Sequence, residues 1–206
     1  MSEFNKKEHW ENIYSTKELN EVSWYQPTPE TSLKFIKKLN LPLDAKIIDI
    51  GGGDSFLVDN LLELGYTNIS VLDISEKAID KAKKRLGTLA NNVTWIVSDI
   101  VDFTPTKEYD LWHDRAAFHF LTNQQDINHY IEIVSNYLSL SGYFILGTFS
   151  KKGPLKCSGI EITQYDDEDL IRLFRKLRLI QSINLEHPTP FETSQSFTFC
   201  CFEKSN

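Results

Sequence analysis

The chain has 206 residues and a mass of 23.8 kDa, enough for one globular domain with a full core. A net charge of -7 argues against a broad nucleic-acid-binding surface. Three cysteines, an odd number, make neither a disulfide framework nor a paired zinc spacing, and the scattered histidines share no metal-ligand spacing. The first eleven residues are polar with no apolar signal core, and no apolar run approaches membrane-spanning length. A soluble, cytoplasmic protein without membrane contact is expected.

In chain order, residues 5–15 read as a helix with Trp10 and Tyr14 four residues apart on one face. Trp24 and Tyr25 follow in an aromatic stretch before Pro27; they either pack this segment onto the domain or roof a binding mouth. Thr28-Pro29 predicts the start of a second helix, with Thr28 as cap, and Pro42 stops it. The organising stretch comes next, Lys46-Ile47-Ile48-Asp49-Ile50-Gly51-Gly52-Gly53-Asp54. A β-branched run that ends in an acid and meets glycines reads as strand, tight turn and helix N-terminus. Bare backbone beside the Asp49 carboxylate suits a ligand carrying hydroxyls and an ammonium group.

The following helix ends at Gly65, and a second strand ends in Asp73, twenty residues past Gly53, where the ribose-binding acid of a nucleotide fold belongs. Ser75 caps a helix with Ala78, Ile79, Ala82 and Leu86 on one face. A third strand, 93–97, leads to Asp99 and Ile100. A fourth, 109–113, leads into Asp114-Arg115-Ala116-Ala117-Phe118-His119. Thr122 and Gln125 fit a capping box for the next helix, and a fifth strand spans 143–149. After an acid-started helix come two strands, 177–185 and 196–202, joined by a link that begins at His187. The alternation predicts an α/β, Rossmann-like, doubly wound sheet of seven strands, mostly parallel, with an antiparallel C-terminal hairpin strand. A single domain over 1–206 is expected, with 1–45 as a helical lid or cap and 46–206 as the core.

The set Asp49-x-Gly51-x-Gly53, Asp73 and Asp99 resembles the class I S-adenosylmethionine (SAM) dependent methyltransferases, over nearly the whole chain from Lys46 onward. The resemblance implies SAM as cofactor. Asp49, Gly51 and Gly53 would form the floor under its methionine part. Asp73 would accept from the ribose hydroxyls with Ile74 against the adenine, and Asp99 would meet the adenine amino group with Ile100 against the ring. A nicotinamide-binding domain is the competing reading, but its fingerprint wants a third glycine where Phe56 stands, and a carboxylate at Asp49 would repel a pyrophosphate. The His113-Asp114-Arg115-Ala116 block, with Cys157-Ser158-Gly159 and His187-Pro188-Thr189-Pro190, looks like a group of bacterial methyltransferases with unsettled substrates.

Methyl transfer asks the protein to align an acceptor and to remove a proton where one is lost. Asp114, Arg115 and His119 are the catalytic candidates, because they follow the fourth strand, opposite the cofactor side. Trp24, Tyr25, Cys157 and His187 are the substrate-contact candidates. Asp114-Arg115 matches the first two positions of the Glu-Lys-Gly-Thr segment of protein-lysine methyltransferases, and Ala116-Ala117 departs from the other two. A small-molecule acceptor, methylated at oxygen, nitrogen or sulfur, is therefore expected first. A protein lysine is the alternative, and a SAM-binding protein without catalysis the third. Nucleic acid is disfavoured because the fourth strand does not end in Asn-Pro-Pro-Tyr.

Overall fold

A computed structural model describes residues 4–205. Residues 1–3 and 206, which the single-domain expectation included, lie outside the described residues. Seven strands form one sheet: β1 (Lys46–Ile50), β2 (Asn68–Asp73), β3 (Val93–Val97), β4 (Tyr109–Arg115), β5 (Leu138–Phe149), β8 (Arg178–Pro188) and β9 (Ser194–Glu203). Two short strands, β6 (Lys156–Cys157) and β7 (Ile160–Glu161), pair separately. The main order is β3-β2-β1-β4-β5-β9-β8. β1 pairs in parallel with both β2 and β4, so the chain reverses its direction of travel across the sheet at β1. That reversal opens a crevice at the carboxyl ends of β1 and β4.

β9 is the one antiparallel strand of the main sheet, inserted between β5 and β8. The two strands are longer than the sequence suggests, because pairing runs from Arg178–Glu203 to Pro188–Ser194 and leaves only 189–193 as the turn. His187, expected in the link, is therefore a strand residue opposite Gln195. β5 also starts earlier than expected, at Leu138, directly after its helix. Gly142 lies within it, and a Cβ there would meet the Ser139 carbonyl at 2.7 Å.

The helices are α1 (Lys6–Thr16), α2 (Glu30–Lys38), α3 (Leu57–Glu63), α4 (Glu76–Leu86), α5 (Gln124–Tyr137) and α6 (Asp167–Leu173). Ser75 caps α4 as its sequence predicts, its hydroxyl accepting from Ala78 N–H at 3.1 Å. Two other starts move by one residue. Pro29, not Thr28, precedes α2, and no side chain caps it. Asn123, not Thr122, caps α5: its amide oxygen accepts from Asp126 N–H at 2.8 Å, and its amide nitrogen donates to the Asp126 carboxylate at 2.7 Å. An amide does both jobs at once, which a threonine hydroxyl one position earlier does not.

Strand alternation divides the apolar side chains between the two faces. Trp112, Phe144, Leu146, Cys200 and Phe202 pack with Tyr130, Phe118 and Phe174 on one side. Leu111, Ile145, Phe199 and Cys201 pack with Phe35, Ile36, Leu57 and Leu61 on the other. The adjacent cysteines thus enter opposite layers, as consecutive strand residues must. No helix among the described residues is long and apolar enough to cross a membrane.

Candidate functional site

The principal pocket lies at the switch-point crevice, lined from below by the ends of β1–β4 and from above by the N-terminal segment. Its floor begins with the turn after β1. Gly51 adopts a φ of +65°, which an L side chain resists. Gly52 and Gly53 have no room for a Cβ: one would lie 2.4 Å from the Asp49 carboxylate and the other 2.4 Å from that of Asp73. The glycines therefore let two carboxylates close on the backbone. Gly51 and Gly52 line the pocket, and Gly53 lies against the Asp73 carboxylate. Arg85, from the last turn of α4, locks this turn from outside. It pairs with Asp54, donates to the Asp59 carboxylate at 2.8 Å and to the Ser55 carbonyl at 2.8 Å, and stacks over Phe56 at 4.3 Å.

Asp49 and His113 are partners across the β1–β4 register, so their side chains share a face. His113 Nδ1 lies 2.6 Å from an Asp49 oxygen, and Nε2 lies 2.8 Å from the hydroxyl of Ser32 on α2. All three are buried and line the pocket. The histidine thus fixes the carboxylate's orientation while both its nitrogens are occupied. Pattern reading has no means of pairing residues 32, 49 and 113, because only the sheet register joins them.

Asp73 is buried, accepts from Ser75 N–H at 2.8 Å, and has its pKa pushed up to about 7, chiefly by burial. Ile74, Leu72, Ile100 and Leu121 form apolar walls between Asp73 and Asp99. Asp99 lines the pocket from the turn after β3, with Lys6 of α1 at 4.0 Å. A carboxylate in want of hydroxyl donors, next to an apolar slot and a bare glycine turn, fits the ribose, adenine and methionine parts of SAM. The expected Asp49, Gly51, Asp73, Ile74, Asp99 and Ile100 all meet at this pocket.

On the acceptor side the expectations divide. Asp114 alternates away from His113 and does not line the pocket. Its carboxylate accepts from Ala117 N–H at 2.9 Å, Phe118 N–H at 3.1 Å and the Tyr130 hydroxyl at 2.7 Å. It braces the turn in which Ala116 takes a φ of +69°, and burial raises its pKa to about 6. His119 also lies outside, fully buried between Phe120 and Phe149 with neither nitrogen bonded. Burial and the Arg115 charge pull its pKa down to about 3, so it is neutral and has no route to an acceptor proton. His187 is buried too, but its partners are the Ser23 carbonyl at 2.9 Å and Gln26 at 3.3 Å. It tethers the segment that carries Trp24 and Tyr25 and does not itself line the pocket. Arg115, Trp24, Tyr25 and Cys157 do line it.

The roof is built from α1 and residues 17–29. Trp10 packs edge-on against Trp24 and Phe120 at ring-centroid distances of 5.7 and 5.2 Å. Glu11 accepts from Glu76 N–H at 2.7 Å and from the Ser75 hydroxyl at 3.2 Å, so an acid of α1 sits on the positive end of α4. Nothing in the local pattern of residues 5–15 marks Glu11 as a latch, since α4 supplies all its partners.

Residues 43–183 match the family described as "Methyltransferase domain". Over 106 residues the chain is 30% identical to malonyl-[acyl-carrier protein] O-methyltransferase 2 of Ilyobacter polytropus, covering 51% of this chain and 39% of that protein. It is 24% identical to EEF1A lysine methyltransferase 2 of Homo sapiens over 68% of this chain and 66% of that protein. The chain therefore spans less than two thirds of the length of either relative. Among solved structures, the N-methyltransferase NodS of Bradyrhizobium japonicum bound to S-adenosyl-L-homocysteine has the same fold, with a TM-score of 0.68 at 16% identity over 95% of this chain and 98% of that one.

Proposed function

This chain belongs to the methyltransferase domain family, and from that premise we propose that it moves a methyl group from SAM to oxygen, nitrogen or sulfur of a small molecule held beneath its N-terminal segment. The observation that carries this reading is the aromatic lining that the N-terminal segment gives the pocket. Trp10, Tyr14, Trp24 and Tyr25 roof it, and the acids of β1–β3 lie along one side of its floor. An aromatic roof fits a compact acceptor better than an extended chain. Residues 4–29 act in this reading as a lid. The expected 1–45 cap is shorter than its sequence suggests, because α2 buries Leu33, Phe35 and Ile36 against the sheet and belongs to the core.

SAM, when bound, supplies an electrophilic methyl group on a positively charged sulfur. Asp49, oriented by His113, holds the cofactor's ammonium end, and Asp73 and Asp99 hold its ribose and adenine. The lid excludes water. On the acceptor side, the titratable lining groups are poor bases: both His113 nitrogens are engaged, burial pushes the Cys157 thiol up to about 11, and burial raises the Tyr14 hydroxyl well above its ordinary value. The protein's contribution is then alignment and desolvation, for an acceptor atom that arrives with a free lone pair.

The test is transfer of labelled methyl from SAM, with lysate separated into metabolite and protein fractions. Label in the metabolite fraction is the expected result. The second reading, a protein-lysine methyltransferase, draws on the resemblance to the human relative over 68% of this chain. Label on protein bands, lost when lysines are blocked, would favour it. Micromolar binding of SAM by calorimetry with no transfer to either fraction would favour a binding protein without catalysis.

A further inference from the structure

The pocket separates its charges. Asp49, Asp54, Asp73 and Asp99 lie on the β1–β3 side, where Lys6 sits beside Asp99, and a second cation, Arg115, lines the pocket from β4. Lys6 is placed between Asp99 and Asp126, at 4.0 and 3.8 Å. Arg115 has no carboxylate partner among the described residues. Its Nη1 donates to the Trp24 carbonyl at 3.1 Å, and its Nη2 is buried with no partner at all. The guanidinium lies 5.3 Å over the Phe197 ring of β9. The Asp49 charge supports the cation from a distance, but its carboxylate bonds His113 and makes no ion pair with the guanidinium, and the Cys157 thiol stays protonated. Burial lowers the Arg115 pKa only to about 10, so the cation persists at neutral pH.

A buried cation whose donors lack an ion-paired acceptor is costly, and an incoming anion would complete it. We propose that Arg115 is the specificity residue of the acceptor side, and that the methyl acceptor carries an oxyanion, a carboxylate or phosphate, which takes the open Nη2 donor. The planar fork on an aromatic ring presents its edge to such a group, as guanidinium–oxyanion pairs require. Trp24, Tyr25 and Phe120 supply aromatic walls for the rest of the molecule. The same cation repels a lysine ammonium, which sets the small-molecule reading apart from the protein-lysine one. This inference rests on the proposed function, because it assumes that the space beside Arg115 holds the acceptor.

The experiment uses protein saturated with S-adenosylhomocysteine and titrated calorimetrically with matched probes: phenylacetate and phenyl phosphate against neutral phenylacetamide. The anionic probes are expected to bind roughly tenfold tighter than the amide. Arg115→Gln is expected to erase that difference, and Arg115→Lys to keep part of it, while either leaves S-adenosylhomocysteine affinity within about threefold. Equal binding of acid and amide, or no binding of either at millimolar concentration, overturns the proposal. So does a parallel fall in S-adenosylhomocysteine affinity, which would assign Arg115 to the cofactor's own carboxylate. If Arg115→Gln fails to fold, the wild-type discrimination and the lysine variant decide the matter. Failure of the protein to bind S-adenosylhomocysteine at all would instead sink the methyltransferase reading itself.

Discussion

The floor and the roof of the pocket are built on different principles. The floor is continuous with the core. Asp49, Asp73 and His113 are buried, held by sheet register and by glycines that leave no space for a Cβ. The roof is laid on top. α1 sends no whole side chain into the core, although the Tyr14 hydroxyl is shut off from solvent, and it is held by aromatic edges, by Glu11 on α4 and by Lys6 near Asp99. Groups fixed by packing cannot relax without cost to the whole domain, whereas a surface element held by a few polar contacts opens at a small fraction of that cost. The floor is therefore rigid where its carboxylates stand, and the roof is the less firmly held part.

The sharpest way to break this contrast is to cut beneath the floor. Asp114→Ala leaves two backbone N–H groups and the Tyr130 hydroxyl without their acceptor. It is expected to lower stability by about 3 kcal/mol or more, read by urea unfolding. If stability is unchanged while turnover falls, Asp114 is catalytic and its bracing role is wrong. Next in size is Gly53→Ala, whose Cβ must displace the Asp73 carboxylate and meets Ala78 Cβ at 2.8 Å. About 1–3 kcal/mol of stability should be lost, together with most cofactor affinity. Cofactor binding at wild-type strength by calorimetry would remove Asp73 from the site.

A third prediction concerns pH. The Asp73 carboxyl titrates near 7 in the folded protein, against an ordinary value of 3.8, so the folded state holds its proton more tightly than the unfolded state. Its stabilising contribution is present below the unfolded value and is lost as pH rises through about 7. Asp114, raised to about 6, acts in the same direction. Asp73→Asn should flatten the fall of stability with pH without abolishing it. Cofactor binding to wild-type protein just below pH 7 should release a proton, detectable by calorimetry in buffers of different ionisation enthalpy. Binding without proton release would mean that the ribose meets the neutral acid.

The smallest effect belongs to the roof. Glu11→Ala removes an acid from the N-terminus of α4, worth about 0.5–1 kcal/mol locally. Global unfolding should scarcely move, while amide exchange in residues 6–25 speeds up and ligand release quickens. A large drop in global stability would make α1 part of the core and erase the distinction between floor and roof.

The amino-acid sequence by itself determined the strand–turn–helix of the glycine stretch, the acids at the ends of three strands, the Ser75 cap and the doubly wound sheet. Each is a local signal: a hydrophobic period, a turn that demands glycine, or a side chain that bonds backbone three residues away. Tertiary structure alone decided which side chains face one another. His113 and Asp114 are neighbours in sequence, yet the pleat sends one to Asp49 in the pocket and the other to Tyr130 in the opposite layer. His119 carries the right chemistry but lies sealed between two phenylalanines, and His187 proves to be a strand residue tethering the roof. Arg115 stands out only because the folded chain leaves its Nη2 without a bonded acceptor. Partnership across tens of residues depends on register and packing, which the order of the residues along the chain does not display.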